Sequence, residues 1–142
     1  ASRRIFEAFL DDDPSKALMH GPTFMGNPIG CAAAMASLDL FELEPRLDQV
    51  KAIEKQLIKE LAPAREFAGV KDVRVCGSIG VIETTGLGNV NLLKQRFVEK
   101  GVWIRPFGNI IYTIPPYIIG EDDLTKVTSA MVNLSKDLKS NT

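Results

Sequence analysis

The residues best suited to chemistry lie in one turn-rich run, His20 Gly21 Pro22 Thr23 Phe24 Met25 Gly26 Asn27 Pro28. Gly21, Pro22 and Gly26 fold the backbone tightly, which brings main-chain N–H groups close to an incoming ligand, and the Thr23 hydroxyl adds a donor to the same concavity. Neutral donors of this kind suit an anion, most naturally a phosphate. A second group stands far down the chain, Arg105, at the end of the apolar run Val102 Trp103 Ile104. Its guanidinium is a planar fork that fits a carboxylate through two parallel bonds; on a protein surface the same group also pairs with neighbouring acids. Tyr112 presents a similar choice, between core packing and lining a pocket. His20 is the sole histidine. No nucleophile, base and orienting group assemble around it, so it reads first as a residue bonding to the turn it precedes.

Other patterns carry less. Cys31 and Cys76 are widely separated and belong to no paired ligand motif, which argues against a metal and for two buried, reduced thiols. Asp11 Asp12 Asp13 lacks the spaced ligands and turn glycine of a calcium loop and reads as a solvated segment. Gly77 Ser78 Ile79 Gly80 has glycines but no following Lys-Ser or Lys-Thr and no helix start, so it is not a nucleotide loop. With 45% hydrophobic and 25% charged residues and a net charge of -1, the 142-residue chain has the balance of a soluble globular protein. Lysines interspersed with acids give no basic surface for nucleic acid, and no apolar run is long enough to span a bilayer. Arg3 and Arg4 lead into Ile5 Phe6 Glu7 rather than into the apolar core of a signal peptide, so a cytoplasmic setting is expected.

The elements that must position these groups follow from periodicity. Residues 2–10 form a short helix with Ile5, Phe6, Phe9 and Leu10 on a face that calls for a partner surface. Asn27 caps a helix that Pro28 begins and that runs to residue 42, its small face of Ala32, Ala33, Ala34, Ala36 and Ser37 suited to close packing. Leu47, Val50, Ile53, Leu57, Ile58 and Leu61 predict a helix over 46–67. Alternation then predicts a hairpin over 70–82, a helix over 89–100 stopped by Gly101, and strands at 102–105 and 110–113 joined by a turn at 106–109. Pro115 and Pro116 end the last strand, and a helix covers 121–139. The expected fold class is α+β, a small antiparallel sheet with helices packed on one face.

The run from His20 to Pro28, continued by Cys31 Ala32 Ala33 Ala34, resembles the class III pyridoxal-phosphate aminotransferases. Val73 Arg74 Val75 with 77–81, then Gly101 Val102 Trp103 Ile104 Arg105 Pro106 Phe107 Gly108, then Ile111 Tyr112 with Pro115 Pro116 Tyr117 Ile118 Ile119, narrow the likeness. They are similar to the branch of that family that uses S-adenosylmethionine to aminate a keto acid in biotin synthesis. The resemblance is to the C-terminal part of such enzymes. It implies the C-terminal small domain of a fold-type I transferase over 29–142, preceded over 1–28 by a remnant of the large domain with its cofactor and interface loop.

The resemblance further implies pyridoxal 5'-phosphate as cofactor, small-molecule substrates and a homodimer. Pro22 and Thr23 would contact the cofactor phosphate in the neighbouring subunit's site, Gly21 would lie beside substrate, and Arg105 would hold the substrate carboxylate, with Tyr112 nearby. None of the lysines from Lys16 to Lys139 stands in the family's Schiff-base motif, and the acidic partner of the cofactor ring would lie upstream. These residues alone are therefore expected to lack aminotransferase activity. Asn109 stands where a basic residue is common and Gly30 where alanine is usual, which leaves fine substrate preference open. Two other readings stay open, a class III aminotransferase with an amino acid donor and a freestanding α+β ligand-binding module.

Overall fold

The computed structural model describes residues 2–18, 20, 21, 23 and 25–138. They fall into two compact units, 1–40 and 41–142, each described by itself.

In the first unit, α1 spans Arg3–Glu7, with the Ser2 hydroxyl accepting from the Ile5 N–H, and a 3-10 turn covers Pro14–Lys16. This α1 is shorter than the periodicity predicts, and Ile5, Phe6, Phe9 and Leu10 are all exposed. Helix α2, Pro28–Leu43, starts where Asn27 and Pro28 predict, and the boundary between the units falls within it. Asn27 Oδ1 accepts the Ile29 N–H at 3.0 Å, one of the amides a helix start leaves without a partner. None of α2 is buried, so the small-residue face finds no close-packed partner among the described residues.

The second unit holds the sheet. Strands β1, Val70–Cys76, β2, Ile79–Thr84, and β3, Ile110–Thr113, pair antiparallel in the order β1-β2-β3. Gly77 and Ser78 make the two-residue β1–β2 turn, with Gly77 at φ +56° and its N–H held by Glu54 at 2.8 Å. A left-handed turn residue matches the twist of the strands it joins, so these glycines serve a hairpin. Helix α3, Arg46–Leu61, gives way to a 3-10 turn at Ala62–Glu66 instead of continuing to 67. Helix α4, Val90–Glu99, is capped by Asn89, whose side chain accepts from Asn91 and Leu92 at 3.1 Å each. It ends at Gly101, φ +74°, with Gly101 and Val102 N–H returning to the Val98 and Phe97 carbonyls, a Schellman closure. Helix α5, Glu121–Lys136, begins with three acids that favour its positive end; residue 139, the predicted terminus, lies outside the described residues.

One face of the sheet meets the helices. Val73, Ile82 and Ile111 pack with Ile53, Leu57 and Leu61 of α3, Leu93 and Phe97 of α4, and Leu124, Met131 and Leu134 of α5. The Glu60 carboxylate ties α3 to α5 by accepting from Gln56, Thr125 and Thr128. This is the α+β arrangement the pattern predicts, with two corrections. Residues 102–105, predicted as a strand, are not one, since no ladder bond joins them to a neighbour although their burial alternates. Alternation alone does not make a strand: among the described residues the sheet is complete as β1-β2-β3, with β2 paired on both sides, and this segment has no ladder partner. The thiols are the second correction. Cys31 and Cys76 are both exposed, Cys31 on the uncovered α2 and Cys76 at the turn end of β1, paired with Ile79.

Candidate functional site

In the first unit, Gly21 and Thr23 lie exposed ahead of the α2 start. Gly26 takes φ +68°, a left-handed value that glycine adopts without steric cost, and so delivers the chain to the Asn27 cap. A methyl group placed on Gly21 would meet nothing within 4 Å, so a ligand can approach its backbone closely. Among the described residues the Thr23 hydroxyl has no hydrogen-bond partner, and the His20 side chain has none either; the His20 N–H donates to the Leu18 carbonyl at 2.8 Å. Pro22, named with Thr23 as a phosphate contact, lies outside the described residues. The donor chemistry present, a free hydroxyl beside open glycine backbone, fits a phosphate group.

The acidic loop does not compete for that role. Lys16 bonds the Asp11 carboxylate and lowers its pKa, while the Ser15 N–H does the same for Asp13 at 2.9 Å. Asp11 and Asp13 are thus satisfied within the loop.

In the second unit, Arg105 lies between two buried residues, Ile104 (6% exposed) and Pro106, and points outward. Trp103 (80% exposed) and Phe107 (74%) share its side, because alternate residues of an extended segment face the same way. The other arginines of this unit are engaged: Arg46 with Gln49, Arg65 with the Val73 carbonyl and Asp72, Arg74 with Asp72 and Glu83, Arg96 with Asp137. Among the described residues Arg105 has neither a hydrogen bond nor an ion pair. The surface salt bridge that an isolated arginine first suggests is therefore not formed here.

The segment ends in a tight turn. Phe107 and Ile110 exchange both backbone bonds, 3.0 and 2.9 Å, around Gly108 at φ +55° and Asn109. Beyond it Tyr112 pairs with Val81 of β2 and is half-buried, on the side of β3 opposite the core residues Ile111 and Thr113. Tyr112 is thus a residue of the outer sheet face, as Arg105 is of the outward side of its arm. Sequence reasoning passed over Thr84, whose buried side chain bonds this turn; a threonine closing a strand carries no distinguishing signal. It also passed over an open groove of about 640 Å³ between α3 and the start of α5, which neither Arg105 nor Tyr112 lines.

Comparison with known proteins gives this geometry a context. The sequence pattern of the class-III aminotransferases matches residues 3–134. The chain is 48% identical over 115 residues to the adenosylmethionine-8-amino-7-oxononanoate aminotransferase of Corynebacterium glutamicum, covering 81% of this chain and 27% of that protein. With the enzyme of the same name from Saccharomyces cerevisiae it shares 38% over 129 residues, 86% of this chain and 27% of that one. The crystal structure of the Methanocaldococcus jannaschii enzyme of that name superposes with a TM-score of 0.71 at 30% identity, over 97% of this chain and 34% of that one. A thermostable omega transaminase from Pseudomonas jessenii superposes with 0.72 at 25% identity, over 87% and 30%. The chain spans about a quarter of the length of the curated relatives named here.

Proposed function

Because the chain belongs to the class-III aminotransferase family, we propose that it is the C-terminal part of an enzyme that transfers an amino group from S-adenosylmethionine to 8-amino-7-oxononanoate, giving 7,8-diaminononanoate for biotin synthesis. The observation that carries this reading is Arg105, an outward guanidinium without a protein partner among the described residues, set between buried Ile104 and Pro106. A keto acid that ends in a carboxylate supplies the missing partner. The fork binds both oxygens, and the buried neighbours limit its movement, so the distal end of the substrate is held while its keto end is free to react. Tyr112 adds a half-exposed ring and hydroxyl on the outer sheet face beside an aliphatic substrate chain.

Pyridoxal 5'-phosphate, when bound, supplies the electron sink for amino transfer. Thr23 serves its phosphate as hydroxyl and amide donor across the interface of a homodimer, with Pro22, which has no N–H to donate, packed alongside. Gly21 lets substrate pass close to the chain. The lysine that carries the cofactor and the acid that partners its ring belong to the rest of the enzyme. Over residues 1–28 the chain belongs with the large domain and over 29–142 with the small one.

Purified full-length enzyme carrying this sequence, incubated with S-adenosylmethionine and 8-amino-7-oxononanoate, is expected to accumulate 7,8-diaminononanoate by mass spectrometry. Turnover only with an amino acid donor and a different keto acceptor would assign it to another branch of the family.

A further inference from the structure

The turn that leads to Arg105 is fastened to the sheet by a buried hydroxyl. Thr84 closes β2 and is fully buried (0% exposed), and its N–H and Oγ1 both donate to the Asn109 carbonyl, at 2.8 and 2.9 Å. The N–H bond carries the β2–β3 pairing one residue past Glu83 and Ile110. The hydroxyl does something else. A valine would keep the same branched shape with no polar atom to satisfy, whereas a buried hydroxyl costs stability unless it is bonded. Its acceptor sits in the Phe107–Ile110 turn, which two backbone bonds and the left-handed Gly108 already hold in one conformation. From there the chain runs through Pro106, whose ring fixes φ, to Arg105. Little rotational slack separates the clamped carbonyl from the guanidinium's backbone.

We propose that Thr84 is a positioning residue for Arg105, its hydroxyl anchoring the Asn109 carbonyl so that the turn holds the arginine where a substrate carboxylate binds. The proposal rests on the carboxylate reading of Arg105. Its test compares kcat/KM of the full-length enzyme for the keto acid with that for the acid's primary amide, alongside thermal unfolding. Thr84→Val lowers the acid-to-amide ratio about three- to tenfold, the effect of one hydrogen bond. The change comes through a higher KM for the acid, with the melting temperature near that of the parent, and Thr84→Ser restores the ratio. Gly108→Ala, which forces a side chain onto φ +55° and leaves Thr84 untouched, lowers the same ratio. An unchanged ratio in folded Thr84→Val, or in Gly108→Ala, overturns the proposal. Arg105→Ala separates the two levels: if it collapses the ratio while Thr84→Val does not, only the role of Thr84 fails, and if it too leaves the ratio unchanged, the carboxylate reading fails and this proposal with it.

Discussion

A guanidinium is available to a ligand only when the protein has not already paired it, and neighbours decide that as much as the arginine does. At Arg105 the alternation of buried and exposed residues turns the side chain outward, and among the described residues no carboxylate meets it. The position of this arginine after an apolar run is legible in the sequence. Its lack of a partner is not, because 18 acids are distributed along the chain and pairing depends on tertiary placement. The thiols show the same limit: Cys31 and Cys76 have the apolar neighbours of buried residues, yet both are exposed. Thr23 carries its own prediction. In the full-length enzyme Thr23→Val loses one hydroxyl donor to a charged phosphate and weakens cofactor affinity by about 1.5 to 3 kcal/mol. Titration of the apoprotein followed by cofactor absorbance measures this, and an unchanged affinity removes Thr23 from the phosphate site.

Elements with a strong apolar period were the readable part of the fold. Ile53, Leu57 and Leu61 of α3 and Leu124, Met131 and Leu134 of α5 enter the core as their spacing predicts, whereas Leu47 and Ile58 of the predicted α3 face stay exposed; Asn27, Asn89 and Gly101 mark real helix ends. The arm at 102–106 shows what alternation leaves out: it reports which side is buried, while a strand also needs a partner within hydrogen-bond reach. Packing between distant elements is equally hidden. Gly69 lies against the chain just beyond α5, where an added methyl carbon would sit 2.4 Å from the Leu138 carbonyl oxygen. Backbone cannot swing aside as a side-chain end does, so Gly69→Ala should cost about 1 to 3 kcal/mol in urea unfolding. An unaltered midpoint would show that the end of α5 is free to move.

The outer edge of the β1–β2 hairpin gives a pH prediction. Arg74 bonds Asp72 at 3.0 Å and Glu83 at 2.6 Å, and the Arg74 bond holds the Asp72 pKa below its ordinary 3.8. A carboxyl with a depressed folded pKa stabilises the native state above its unfolded value, and the contribution fades as pH falls through the folded one. The stability difference between the parent protein and Asp72→Asn should therefore be constant near neutrality and shrink as the pH drops below 3.8. Denaturation series at several pH values, at low salt, will follow it; a difference that does not change on acidification contradicts the ion pair's role.

At the scale of the whole molecule, the chain divides its chemistry between two units, with the hydroxyl-bearing turn in the first and the arginine arm in the second. It spans 27% of the Corynebacterium relative, and under the proposed function the cofactor lysine belongs to the rest of the enzyme. The 142-residue polypeptide supplied with pyridoxal 5'-phosphate should accordingly show no amino transfer under conditions where the full-length enzyme turns over; sustained product formation would contradict this. The central claim is that Arg105 holds the acid end of the substrate, and one measurement addresses it most directly. Full-length enzyme should prefer the keto acid over its primary amide by about 10- to 100-fold in kcat/KM, the range expected for bonds to a charged group. Arg105→Ala should abolish that preference while leaving the amide's kcat/KM near its original value. If the variant still discriminates between acid and amide as the parent does, the carboxylate is held elsewhere and the account fails.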